Sequence, residues 1–194
     1  MHRIYFTLIS VCVLAHPSYA QASADTASAF RRGQWGVEFI PTTTLTEGGV
    51  LRFSTPSRAW VLDGSASFDN ESNTVTSGPD QSARTIGVNA RIGPRWYHSE
   101  YERVVRFAGV GVTGSYSGVS QSGPNNNRGE SWTAGAYGEL GLQYLFTRHL
   151  GLGVRADVVV SRLSQHFTES GGTQHLTIDR LALNPLHIIG AFYF

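Results

Sequence analysis

The stretch that decides the fold is LGLGVRADVVVSRLS, residues 150 to 164. Its side chains alternate with a period of two and show no period of 3.6. One face carries Leu150, Leu152, Val154, Ala156, Val158 and Val160, and the other carries Gly151, Gly153, Arg155, Asp157 and Ser161. Because successive side chains of a β-strand point to opposite faces of the sheet, this pattern predicts a strand with one apolar face and one face that holds charges.

The same alternation recurs along the chain. We predict eight strands, at residues 33–41, 47–55, 58–69, 83–97, 103–116, 131–146, 150–164 and 176–194. The long connections are rich in Ser, Asn and Gly and are predicted to be loops, at residues 70–82, 117–130 and 165–174. Short and long connections alternate after the second strand, which favours an all-β, eight-stranded, antiparallel up-and-down barrel with one short-looped and one long-looped rim.

Eight charged residues fall on the polar face of these strands. Four are acidic and four are basic: Glu38, Asp63, Glu139 and Asp157, and Arg52, Arg91, Arg95 and Arg155. If the apolar face is inside, the chain is a soluble periplasmic ligand-binding barrel with its charges in water. If the polar face is inside, the chain is a transmembrane barrel with paired charges in its interior.

Three observations favour the transmembrane barrel. The apolar face continues for about ten residues per strand, which is what a tilted strand needs to cross hydrocarbon. The presumed interior is rich in glycine, which leaves room for long charged side chains. Aromatic residues cluster near both strand ends, as they do at two membrane interfaces; they are Trp35, Phe53, Trp60, Trp96, Tyr144 and Phe146 at one end, and Phe68, Tyr116 and Trp132 at the other.

An unpaired buried charge costs several kcal/mol, so the interior charges are expected to form ion pairs. A short turn around Arg148 sets Glu139 level with Asp157 and diagonal to Arg155. We therefore expect a Glu139–Arg155 pair, with Arg91 or Arg95 as the partner of Asp157. These charges either fill the interior structurally or line a narrow path for ions.

The front of the chain has the pattern of a secretory signal peptide. Residues 1–20 combine Arg3, an apolar stretch and small residues before Ala20. We expect cleavage after Ala20, with Ala22 as the alternative site, followed by a short lead over 21–32 and the barrel over 33–194. The only cysteine is Cys12, so the part after cleavage has no disulfide framework.

The overall charge excludes a nucleic-acid partner. The chain has 15 basic and 14 acidic residues, and every basic residue is Arg. Nucleic-acid binding requires a basic patch, and a near-neutral, glycine-rich composition does not predict one of the kind that nucleic acid needs.

The last residues, HIIGAFYF (187–194), read as the final membrane strand. Ile188, Gly190, Phe192 and Phe194 are predicted to face lipid, and His187 and Tyr193 to face inward. Asn184-Pro185 is predicted to mark a bulge, because proline cannot donate to a ladder.

With this ending, the signal peptide and the eight strands, the chain resembles the small outer-membrane barrels of Gram-negative bacteria, of the OmpA-barrel and OmpX/Ail kind. The resemblance covers residues 33–194. It implies that Phe192 and Phe194 form the signal read by the barrel-assembly machinery, and it implies an integral location in the outer membrane.

The candidates for catalysis or metal binding lie at the long-looped rim. Ser164, His166 and Glu169 lie there, but Ser164 and His166 share one strand face through simple alternation. His166 and His175 flank the last loop, and two ligands do not make a metal site. We therefore assign no catalytic, cofactor or metal residues.

Arg162 and Arg180 are candidates for binding phosphate groups, because the arginine side chain suits bidentate contact with phosphate. Both are predicted near the outer interface, where they either contact lipopolysaccharide or extend toward water.

The sequence thus predicts a monomeric, non-enzymatic barrel whose partners are outer-membrane lipid and lipopolysaccharide. Its role is envelope structure or surface interaction through the loops 70–82, 117–130 and 165–174. The alternatives are a lipid A-modifying enzyme and the soluble periplasmic barrel.

Overall fold

The computed structural model describes residues 29–41, 46–73, 81–101, 103–122, 127–169 and 172–194. Its strands are β1 Trp35–Pro41, β2 Thr46–Thr55, β3 Arg58–Asn73, β4 Gln81–Tyr101, β5 Val104–Ser122, β6 Asn127–Leu145, β7 Leu150–Glu169 and β8 Gly172–Tyr193. No helix among these residues is long and apolar enough to cross a membrane. The predicted signal peptide lies outside the described residues.

Each strand pairs antiparallel with the next, and β1 pairs with β8 to close the barrel. The closing ladder runs from Gly36–Tyr193 to Phe39–Gly190. It continues into Phe194, whose amide donates to the Trp35 carbonyl oxygen at 3.0 Å. We call the end of the barrel with Trp35 and Phe194 the near rim, and the opposite end the far rim. The predicted all-β, eight-stranded up-and-down barrel is confirmed.

The apolar face lies outside. Its large side chains are about half exposed in every part of the wall, and examples are Trp60, Leu62, Ile92, Val112, Leu140, Leu152, Val160 and Ile188. Six charged side chains are instead buried inside, namely Glu38, Asp63, Arg95, Glu139, Arg155 and Asp157. The soluble alternative required the reverse arrangement and therefore fails.

The strands extend further toward the far rim than predicted. The described residues of the predicted loops 70–82, 117–130 and 165–174 are strand, and the ladders continue to Asn73–Gln81, Gln121–Asn127 and Glu169–Gly172. The parts of these loops at 74–80, 123–126 and 170–171 lie outside the described residues. Ser and Asn have turn propensity, but a neighbouring strand that supplies a ladder overrides it.

The predicted bulge in β8 is present. Arg155 pairs with His187 while Asp157 pairs with Asn184, so β8 carries one extra residue between the two pairs. An extra residue reverses which side chains face inward beyond the bulge. This reversal affects every residue of β8 from Asn184 toward the far rim.

Candidate functional site

The middle of the barrel interior is an ionic layer centred on Arg95. The Arg95 Nε and Nη2 atoms donate to the two carboxylate oxygens of Glu139 at 2.6 and 3.2 Å. Its Nη1 atom donates to Glu38 Oε1 at 2.6 Å. All three side chains are almost fully buried. A bidentate, charge-assisted contact of this kind is stronger than a neutral hydrogen bond and fixes geometry.

Glycine makes room for this layer. A Cβ atom at Gly109 would lie 2.5 Å from Glu139 Oε1, so a side chain there would push the carboxylate away from Arg95. Gly109 faces Glu139 across the β5–β6 ladder. The glycine therefore keeps the central ion pair in place.

Arg155 links the layer to the other side of the barrel. Its Nη1 atom donates to Asp63 Oδ2 at 2.8 Å and lies 3.5 Å from Glu139 Oε2. The Glu139–Arg155 pair expected from the sequence is thus present. Glu47, which the sequence analysis did not include, lies 3.7 Å from Arg155 Nη2. Glu47 pairs with Ile40 across the β1–β2 ladder, and Ile40 is buried inside.

Asp157 closes the layer toward the far rim. Arg91 Nη2 lies 3.2 Å from Asp157 Oδ2, and Asn184 Nδ2 donates to the same oxygen at 2.8 Å. His187 Nε2 lies 3.9 Å from the other oxygen, Oδ1. Of the two partners expected for Asp157, Arg91 is therefore the one in contact.

Seven of the eight charges predicted for the interior lie there, and Arg52 does not. Arg52 is exposed on the outer face, with its Cζ atom 5.2 Å from the Trp35 ring centroid. The prediction for Arg52 was wrong because the inward residues of β2 near this end are Leu51 and Phe53, both buried. A charged residue in a strand indicates an inward position only where the barrel interior is ionic. At the near rim the interior is apolar.

That near end is filled by an aromatic cluster, formed by Phe30, Phe53, Tyr97, Phe107 and Tyr193. Phe30 belongs to the predicted lead before the barrel, yet it is buried and stacks on Phe53 with ring centroids 4.3 Å apart. Phe53 was predicted to belong to the outer girdle and lies inside instead. The aromatic cluster and the ionic layer fill the interior at two successive levels.

At the far rim, Arg162 and Arg180 lie on different faces. Arg162 is exposed on the outer face and donates to both carboxylate oxygens of Asp179, at 2.8 and 3.2 Å. Arg180 pairs with Ser161 and so shares the inward face. Its predicted lipid-side position was wrong because the bulge in β8 reverses the faces.

One serine and two histidine side chains meet on the outer face of the β7–β8 hairpin. Ser164 Oγ lies 3.2 Å from His175 Nε2, and the His175 and His166 ring centroids are 6.1 Å apart. Among the described residues, no hydrogen bond joins either histidine to an acidic side chain. No group of three or more metal-ligating side chains in that part of the chain could hold a metal ion.

No protein-family model matches the chain, and no curated protein matches its sequence. Solved structures do match. The outer membrane protein OprG from Pseudomonas aeruginosa is 13% identical, with 85% of this chain and 97% of OprG covered and a TM-score of 0.53. AlkL, solved in lipid bilayers, is 12% identical over 100% of this chain and 97% of its own, with a TM-score of 0.49. CarO from Acinetobacter baumannii is 11% identical over 84% and 98%, with a TM-score of 0.44.

The likeness to OprG shows the fold of this chain, an eight-stranded barrel of the kind found in outer membranes.

Proposed function

We propose that this chain is an integral, non-enzymatic barrel of the bacterial outer membrane, with a closed interior and a role in envelope structure or surface interaction. One observation carries the proposal: large apolar side chains cover the outside, while carboxylates paired with arginines fill the inside. Hydrocarbon is the only solvent in which that arrangement is favourable on both faces.

The closed interior supports a structural role rather than conduction. Arg95 and Glu38 are fully buried in the ionic layer, and Phe30 is buried below it. Eight strands enclose a space that side chains alone can fill. An ion would have to displace both layers to pass.

Surface interaction is supported by the far ends of the strands, where the outer face turns polar. The first polar outward residues there include Asn70, Arg84, Glu130, Arg162 and Asp179. Among the described pairs, residues 65–73 of β3 pair only with β4, and residues 172–187 of β8 pair only with β7. Such strand edges offer backbone donors and acceptors to an extended partner segment.

The positions of arginines on the outer face support lipopolysaccharide as a partner. Arg162 faces outward near the outer leaflet, where it would meet lipopolysaccharide phosphates in exchange with Asp179. Arg84 is a further candidate, with its Cζ atom 5.0 Å from the Phe68 ring centroid. We further propose that Phe192 and Phe194 are read by the barrel-assembly machinery, that the family is of the OmpA-barrel and OmpX/Ail kind, and that the barrel is a monomer.

Reconstitution tests the proposal. The purified barrel is expected to insert into vesicles, to resist carbonate extraction, and to run faster on a gel before boiling than after it. In planar bilayers it is expected to give no stable conductance step, because the interior is filled at two levels. Extraction by carbonate would refute membrane insertion, and a regular conductance step would refute the closed interior.

A second candidate, a lipid A-modifying hydrolase, is favoured by the Ser164–His175 contact of 3.2 Å. A serine activated by histidine is the minimum that acyl-ester hydrolysis needs. Mass spectra of lipid A from cells with and without overexpression distinguish the two functions. A lost acyl chain that returns in a Ser164→Ala variant would establish the enzyme.

A further inference from the structure

The near rim carries a basic surface that the proposed function does not use. Residues 29–36 and 51–61 contain four arginines and no acidic residue. The arginines are Arg31, Arg32, Arg52 and Arg58. Arg58 lies at the start of β3, Arg52 lies near the end of β2, and Arg31 and Arg32 precede β1.

These arginines are interleaved with tryptophan on the outer face. Arg52 pairs in register with Trp35 on one side and with Trp60 on the other. The Arg58 Cζ atom lies 5.9 Å from the Trp60 ring centroid and 5.7 Å from that of Trp96. A guanidinium over an aromatic face is held there by a cation–π attraction, and its N–H donors in the guanidinium plane stay available.

No ion pair within the described part of the chain neutralises three of these guanidinium groups. Among the described residues, the ion pairs involve other arginines, and neither Arg32, Arg52 nor Arg58 takes part in one. The ionic layer inside the barrel is separated from the surface by the strand wall. The cluster is therefore a patch of positive charge at the end of the apolar band, and among the described residues no acidic side chain is paired with Arg32, Arg52 or Arg58.

A groove of about 480 Å³ lies within the patch. It is lined by Arg32, Gly33, Arg52, Phe53, Ser54 and Trp60. Gly33 has a φ of 83°, a backbone conformation that favours glycine, and its amide donates to the Phe53 carbonyl oxygen at 2.7 Å. This turn fixes Arg32 beside Arg52, so the groove is built into the fold.

We propose that this groove binds the headgroup of an anionic phospholipid from the leaflet at the near rim. This rests on the proposed membrane insertion. Arg32 and Arg52 would donate to the phosphate, as guanidinium suits bidentate contact with phosphate oxygens. Trp35 and Trp60 would flank the glycerol region, because tryptophan favours the boundary between hydrocarbon and headgroups. The acyl chains would continue along the apolar band.

The test uses the full barrel in vesicles of equal phosphatidylglycerol and phosphatidylcholine, followed by release into detergent and native mass spectrometry of retained lipid. The wild type is expected to prefer phosphatidylglycerol by about tenfold, the effect of one hydrogen bond between charged groups. An Arg32→Gln/Arg52→Gln variant is expected to lose the preference. The matched control is Arg128→Gln near the far rim, where Arg128 Nη2 lies 3.1 Å from Glu130 Oε1, and this variant is expected to keep the preference.

The outcomes separate the explanations. Equal retention of both lipids by the wild type, or an unchanged preference in the double variant, would show that these arginines only extend toward water. Displacement of phosphatidylglycerol by excess inorganic phosphate would show a soluble-anion site instead. Failure of the wild type to insert into vesicles would overturn the proposed function, and the lipid site with it. Residue 32 lies outside the strands, so the single Arg32→Gln variant measures the effect on lipid preference separately from any effect on folding.

Discussion

Arg95→Met is expected to lower the free energy of unfolding by about 3–5 kcal/mol, the cost of breaking a buried ion pair by removing one partner. Glu38 and Glu139 would stay buried without the guanidinium that lies 2.6 Å from each of them. The loss is large because the layer already holds more carboxylates than guanidinium groups. This loss of stability is measured by urea titration in detergent, with the folded fraction read from the gel band that runs faster before boiling.

Two further variants decide whether the charge causes the loss. Arg84→Met removes an exposed arginine of the outer face and is expected to change the urea midpoint very little. Arg95→Met combined with Glu38→Gln and Glu139→Gln removes the three charges together and is expected to recover much of the lost stability. Equal midpoints for Arg95→Met and Arg84→Met would contradict this role of the ionic layer.

Leu140→Arg is expected to destabilise the inserted barrel by about 2–4 kcal/mol, the cost of arginine at the bilayer midplane. Leu140 lies in the middle of the apolar stretch of β6, and 67% of its surface is exposed in the isolated barrel. In a water-soluble protein, arginine at so exposed a site would be harmless. The expected effect therefore depends on the solvent around the outer wall and is measured by urea titration in vesicles.

The control for Leu140→Arg is an arginine substitution closer to the membrane surface. Tyr144→Arg lies on the same face of the same strand, four residues closer to the near rim, where arginine costs about 0–1 kcal/mol. A loss at Leu140 that clearly exceeds the loss at Tyr144 is expected. Equal, small losses at both positions would contradict a lipid-covered wall.

Alternation along the sequence was enough to predict the number of strands, most of their faces and two of the interior ion pairs, Glu139–Arg155 and Arg91–Asp157. Strand seven shows why: Val154 and Arg155 can only take opposite faces, and only one assignment keeps Arg155 near Glu139. The Glu139–Arg155 contact followed from turn length alone. These features depend on local geometry, which the sequence specifies directly.

The wrong predictions concern residues whose position depends on tertiary structure. Arg52 was placed inside because it is charged, whereas the near end of the interior is filled by Phe30, a residue from outside the strands. The prediction that Arg180 faces lipid was wrong because the bulge at Asn184 reverses the inward and outward faces of β8 from that residue to the far rim. Its neighbour Asp179 is the outward residue, and it pairs with Arg162. No local pattern reports which residue enters a barrel from beyond its strands.

The most direct test of the account is the solvent at Leu140. Cys12 is the only cysteine of the chain, so a spin label on Leu140→Cys, or on Ser120→Cys at the polar far end of β5, would be unique in the barrel. In vesicles, the label at 140 is expected to collide often with oxygen and rarely with a water-soluble nickel chelate, and the label at 120 to show the opposite. Free access of the nickel chelate to the label at 140 would contradict the claim that hydrocarbon surrounds the apolar face.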